Sequence, residues 1–214
     1  MSNALQRTDD WYKARLGKVT ASRVYDVCAR TEKGEPYSKY QDYMMELALE
    51  RITGIPTDTY TSKAMQWGID TEPEAKEAYA LQTMNEVQDV GFIDHPIIEN
   101  FGASPDGLLL DMFGKPLNKA IEIKCPTSKT HLETLTTGKV NPQYIYQMAT
   151  QLMCLEIKEC VFMSFDPRFP AKLQIFLYDF ELTAEMEEEI TFKVVEFNSK
   201  VAQVVDKLKE RMGD

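Results

Sequence analysis

The amino-acid sequence predicts a mixed α/β (α+β) protein, with a central mixed β-sheet flanked by helices, built as one domain over residues 1–214. Three observations carry this reading. Apolar residues between positions 38 and 84 recur at helical spacing. From about position 86 the period shortens to that of strands. Beyond position 127, helix and strand patterns alternate, which sets helices against a sheet.

Taken in order, residues 11–29 read as a turn followed by a short helix, with Thr20 or Ser22 as its N-cap. Residues 38–54, SKYQDYMMELALERITG, form a helix that stops at Gly54. Residues 62–84, SKAMQWGIDTEPEAKEAYALQTM, form a second long helix, bent near Gly68, and Pro73 lies inside it or begins a new one. EVQDVGFIDHP, FGASPDGLLLD and KAIEIKCP are strand-like, with turns at Gly91, Pro96 and FGKP. Residues 127–137 and 142–157 are helical, ECVFMSFDP and LQIFLYDFEL are strands, and one long helix runs from Thr183 to the end.

Composition limits the function classes. Hydrophobic residues at 43% and charged residues at 27% fit a water-soluble chain, and no apolar run approaches the roughly 20 residues of a membrane span. The opening MSNALQRTDDW lacks the apolar core of a signal peptide, so the expected location is cytoplasmic. Cys28, Cys125, Cys154 and Cys160 match no zinc or disulfide spacing. A net charge of −10 excludes a generally cationic nucleic-acid surface; DNA contact then needs a concentrated basic patch or an enclosing shape. Many of the acids fall late, in FELTAEMEEEITFKVVEF.

The chemistry concentrates in GASPDGLLLDMFGKPLNKAIEIKCP, residues 102–126. Glu122 and Lys124 stand two apart on a predicted strand and so share a face. Asp106 opens the adjoining strand of a hairpin, which brings all three side chains to one sheet edge. Paired carboxylates in an apolar setting repel and are costly to bury. A divalent cation such as Mg²⁺ removes both difficulties, because it takes one or two carboxylates and keeps waters for a substrate phosphate. A lysine beside it completes the set for hydrolysing a phosphodiester. An isolated Glu-x-Lys pair is ordinarily a weak surface ion pair; the apolar run of IEIK and the preceding SPDG argue for a site here.

SPDG followed by IEIKCP resembles the core of the PD-(D/E)xK nucleases, whose fold is restriction-endonuclease-like. More narrowly, WYKARLGKVTAS, AMQWGIDTEPEA, SPDG, IEIKCP and YIYQMATQLMC, in that order over most of the chain, resemble the lambda-type phage alkaline exonucleases, a viral recombinase family. The resemblance implies metal ligation by Asp106, Glu122 and the main-chain oxygen of Ile123, with Lys124 as the catalytic lysine. It implies that Glu72 serves a second metal, directly or through water, and that Gln147 lines the site. Arg15 and Ser22 would form a 5′-phosphate pocket, Lys129 a DNA contact, and Met65 an apolar wedge at the terminal base pair. Two Mg²⁺ ions are implied, with Mn²⁺ as a substitute. So are duplex DNA ends as substrate, a homotrimeric ring and a single-strand annealing protein as partner.

Without the resemblance, several residues have plainer readings. Glu72 suits a first helical turn, Gln147 a helix surface, Arg15 and Lys129 open solvent, and Met65 an irregular gap in the core. Trp11 and Trp67 read as framework, and His95 and His131 as structural or surface residues. The expected activity is 5′-to-3′ digestion of linear duplex DNA to 5′-mononucleotides, leaving 3′ tails. The alternatives are a PD-(D/E)xK endonuclease, a non-catalytic DNA-end binder and an acidic DNA mimic.

Overall fold

The computed structural model describes residues 6–57 and 62–212. The opening MSNAL and the last two residues of the predicted final helix lie outside this range. Helix α1 (Asp9–Arg15) is capped by Thr8, whose hydroxyl accepts from Trp11 N at 3.3 Å, and carries acids in its first turn and bases in its last. Strand β1 (Val19–Thr20), a 3₁₀ turn (Ala21–Arg23) and helix α2 (Val24–Cys28) follow. The sequence reading of this region needs correcting: it missed α1 and β1. Seven residues that bury no side chain, and two residues defined only by a partner strand, leave little periodicity to read. Thr20 is the N-cap residue of the 3₁₀ turn but makes no side-chain cap bond, Ser22 lies within that turn, and the N-cap position of α2 is Arg23.

Helix α3 (Ser38–Thr53) ends at Gly54, whose φ of 67° is the left-handed conformation that glycine adopts without strain. Helix α4 (Lys63–Thr83) starts at a Ser62 cap and runs unbroken past Pro73, which settles the open choice at that proline.

The expected single sheet resolves into two. Strands β2 (Glu86–Gln88), β5 (Gly107–Leu110), β6 (Pro116–Lys124), β7 (Glu159–Phe165) and β8 (Ile175–Glu181) form a five-stranded sheet in the order β2-β5-β6-β7-β8. Only β6 and β7 run parallel in it. Strands β3 (Ile93–Asp94) and β4 (Phe101–Ala103) join β1 in a small sheet of order β1-β4-β3. EVQDVGFIDHP and FGASPDGLLLD therefore each divide between two sheets. In the second, the break is Ser104-Pro105-Asp106, where proline has no N–H to give a ladder. Gly107 then passes close under β2: a Cβ there would lie 2.3 Å from Val87 Cγ1.

Helices α5 (Ser128–Thr137) and α6 (Pro142–Leu155) make the crossover between β6 and β7, and α7 (Ala184–Met212) closes the fold. Side chains alternate along β6. Ile121 and Ile123 join Ala75 and Tyr79 of α4 in one apolar cluster. Ala120 lies on the other face, in the larger core with Met148, Ala149 and Leu152 of α6 and Ile190, Val194 and Phe197 of α7. Period two then turns Glu122 toward α6 and into that core. Each large apolar side chain buried this way contributes roughly 1.5–3 kcal/mol, which holds the strand in register.

The four cysteines are free, buried and spread over three clusters. Among the described residues, no helix is long and apolar enough to cross a membrane.

Candidate active site

The site lies where β5 meets β6. Gly107 pairs with Ile121, so Asp106, one residue earlier, stands beside the C-terminal end of β6. Its Oδ2 accepts from Ile123 N at 2.7 Å, a tie across the strand end. Glu122 is fully buried, and Lys124 Nζ lies against its Oε1 as an ion pair. The contact is a charge-assisted one, with the ammonium as donor and the carboxylate as acceptor. Tyr144 of α6 supports the ammonium from the other side, with its ring centre 5.1 Å from Nζ.

The charges are strongly coupled. Burial, then Glu122, push the Asp106 carboxyl up to about 8. Burial opposes the Lys124 ammonium, but Glu122 and Asp106 outweigh it and hold the group well above an ordinary lysine. With both carboxylates ionised, this cluster sets two negative charges against the single ammonium of Lys124 and lacks one positive charge. A hard dication with oxygen preference fits that deficit. Among the described residues, no group of three or more His, Cys, Asp or Glu side chains is placed to hold a metal ion. The donor set is instead the carboxylate pair, which suits Mg²⁺, an ion that keeps most of its waters.

Glu72 lies in the middle of α4, with its side chain 15% exposed, so it is not the exposed first-turn acid of the plainer reading. It acts electrostatically on both Asp106 and Cys125. Its carboxylate is paired with Arg7 at 2.9 Å and Lys76 at 3.0 Å, beside a cavity of about 320 Å³.

Arg15 is half-buried rather than free in solvent. It lies over Trp11 at 4.2 Å and reaches Ser104 Oγ at 3.4 Å, and Trp11 Nε1 donates to the same hydroxyl at 2.9 Å. Burial pulls its guanidinium down, yet an arginine stays charged. Ser22 faces Thr20 Oγ1 at 3.4 Å and accepts at its carbonyl from Gln143; among the described residues no hydrogen bond joins Ser22 to Arg15. Met65 is 53% exposed in the first turn of α4, so the core-packing alternative for it fails. Lys129 is exposed and loosely paired with Glu133 at 3.9 Å. Gln147 is buried in α6, against its helix-surface alternative.

Both histidines are structural. His131 bridges Ser164 and the Leu173 carbonyl at 2.8 Å each, and His95 accepts from Ile97 N and Ile98 N. Trp67 is framed by Arg168, stacked over its ring at 4.2 Å.

With this geometry in view, comparison with known proteins becomes decisive. Residues 10–158 match the YqaJ-like viral recombinase domain, which is more than half of the chain. The chain belongs to the YqaJ-like viral recombinase family. Two solved structures of the alkaline exonuclease LHK-Exo, one from Laribacter hongkongensis and one in complex with dAMP, share 41% identity with it. They cover 96% of this chain and 98% of their own, with TM-scores of 0.86 and 0.87. A phage-related exonuclease from Haemophilus somnus shares 14% identity at a TM-score of 0.64, over 91% of this chain and 96% of its own, and supports the fold. Among curated proteins, none matches. This YqaJ-like chain is accordingly an enzyme, a nuclease of the alkaline exonuclease kind.

Sequence reasoning missed Gln151. Its Nε2 donates to Glu122 Oε2 at 2.5 Å. Gln147 and Gln151 are four apart and share a face of α6, so periodicity could not choose between them.

Proposed function

We propose that this nuclease is a divalent-metal-dependent exonuclease that enters linear duplex DNA at a 5′-phosphorylated end. It removes 5′-mononucleotides in the 5′-to-3′ direction and leaves a 3′ single-stranded tail. The observation that carries the proposal is the convergence of Asp106, Glu122 and Lys124 at the end of β6, with one positive charge too few. Asp106, Glu122 and the Ile123 carbonyl would hold one Mg²⁺, and Glu72 would serve a second, with Mn²⁺ able to replace them. Bound cations supply charge for the phosphoryl oxygens and a water acidic enough to attack.

The chain's own residues do the rest. Lys124, kept protonated by its carboxylate neighbours, holds negative charge on the scissile phosphate. Arg15 is tied to Ser104, two residues before Asp106, so a terminal phosphate gripped by Arg15, and by Ser22 if it reaches the same phosphate, fixes the distance to the bond that is cut. The planar guanidinium suits that dianion. Met65, exposed at the start of α4, would wedge the terminal base pair, and Lys129 would contact the backbone. The dAMP held by LHK-Exo belongs to the class of molecule that such cutting releases.

A homotrimeric ring around DNA would retain the substrate by enclosure, which answers the net charge of −10. A single-strand annealing protein would receive the tail, in the cytoplasm of the infected cell.

The test offers Mg²⁺ with a 5′-phosphorylated linear duplex, a 5′-hydroxyl linear duplex and a closed circle. Selective loss of the phosphorylated linear strand is the expected result. Nicking of the circle would mean an endonuclease, and binding without cleavage a DNA-end binder; either refutes the proposal.

A further inference from the structure

Helix α6 sets a buried amide against strand β6. Gln151 is completely buried, and its Nε2 donates to Glu122 Oε2 at 2.5 Å. Its own Oε1 is also buried and has no partner. An amide facing a carboxylate must present its N–H₂, so this orientation is dictated by charge. The orphaned carbonyl is then a standing cost that leucine or methionine would avoid in the same space. The N–H₂ is what the position supplies.

We propose that Gln151 is a positioning residue for Glu122. It anchors Oε2 against α6, which leaves Oε1 facing Lys124. Tyr144, seven residues earlier on the same helix, positions Lys124 from the same direction. One helix face thus fixes both the acid and the base of β6. Glu122 is wholly buried and has no water to replace a lost donor. Without Gln151, its carboxylate would turn toward Lys124 with both oxygens and hold a cation poorly.

This inference rests on the metal-dependent reading above, and the experiment separates the two. Gln151→Met keeps the volume and removes the donor; Gln151→Asn keeps the amide but stops one methylene short. Circular dichroism establishes folding, and Mn²⁺ binding is measured by titration calorimetry on the purified full chain. The expected result is a Kd for Mn²⁺ weaker by about 10–100-fold in whichever variant folds, the usual effect of losing a partner behind a ligand. The Mg²⁺ concentration for half-maximal cleavage should rise in parallel, and saturating Mg²⁺ should restore most of the rate, which a packing defect would not allow. A folded variant with wild-type Mn²⁺ affinity overturns the inference alone. A wild-type protein that neither binds Mn²⁺ nor cuts DNA overturns the functional reading, and this inference falls with it.

Discussion

Removing the ammonium of Lys124 tests the charge arrangement directly. Lys124→Met keeps the length of the side chain and deletes its charge. Glu122, fully buried, then loses its counter-ion; Lys124 itself is 26% exposed, so some water reaches the gap. Stripping one partner from a buried pair costs about 3–5 kcal/mol, and the solvent contact places this case near 3 kcal/mol. At roughly 2–4 °C per kcal/mol for a chain of this size, Tm should fall by about 6–12 °C in EDTA. The loss should depend on pH. Asp106 sits at about 8, against an ordinary 3.8. A carboxyl raised in this way contributes stability that is whole below its unfolded value and drains away as pH climbs through about 8. Lys124 stays charged throughout that range. At pH 6 the variant has a protonated Asp106 and only Glu122 to accommodate. At pH 9 the wild type offsets an ionised Asp106 with the Lys124 ammonium, whereas in the variant Asp106 has lost the cation that held it down and resists ionisation further, so the larger loss appears there. Scanning calorimetry or thermal circular dichroism at both pH values reads the difference. Equal Tm values for variant and wild type at pH 9, or a loss of the same size at pH 6, would refute the reasoning.

Asp106→Asn should abolish cleavage in Mg²⁺, yet in EDTA at pH 9 its Tm should equal or exceed that of the wild type, because the group that resists ionisation is gone; thermal melts beside a nuclease assay check both halves. Arg15→Gln should lower the preference for 5′-phosphate over 5′-hydroxyl ends by about 10–100-fold, the worth of a charge-assisted contact, and equal slowing on both ends would count against its role. Met65→Ala should move Tm by no more than about 2 °C, as an exposed residue does. It should slow digestion of a paired end but not of a frayed one; a frayed end slowed just as much would remove the wedge.

The three charged residues of the site were legible because their placement needs only strand periodicity and a short hairpin. Glu122 and Lys124 share a face by rule, and Asp106 follows from the turn between β5 and β6. Gln151 was not legible, since its role depends on how α6 docks across β6, a tertiary fact that two glutamines on one helix face leave open. The pairing of Glu72 with Arg7 joins residues 65 positions apart and leaves no local trace. Helix α1 escaped for a related reason. It buries no residue of its own and is held by Trp11 and Arg15 reaching Ser104, far along the chain. The division into two sheets hinges on Pro105, which the sequence places inside one strand-like run but which acts in space as a crossing point.

The parallel pairing of β6 with β7 has a consequence for synthesis. Lys119 to Lys124 find their partners only at Glu159 to Ser164, after two intervening helices. A ribosome must therefore finish some 40 further residues before the cutting strand acquires its second neighbour, and loop closure over that length is slow relative to hairpin formation. A chain terminated near residue 158 would carry β6 as an open sheet margin, with Ile121 and Ile123 stripped of cover by Val161 and Met163. Such a fragment would self-associate rather than digest DNA. The five-stranded sheet is thus still incomplete when nearly three-quarters of the polypeptide has emerged.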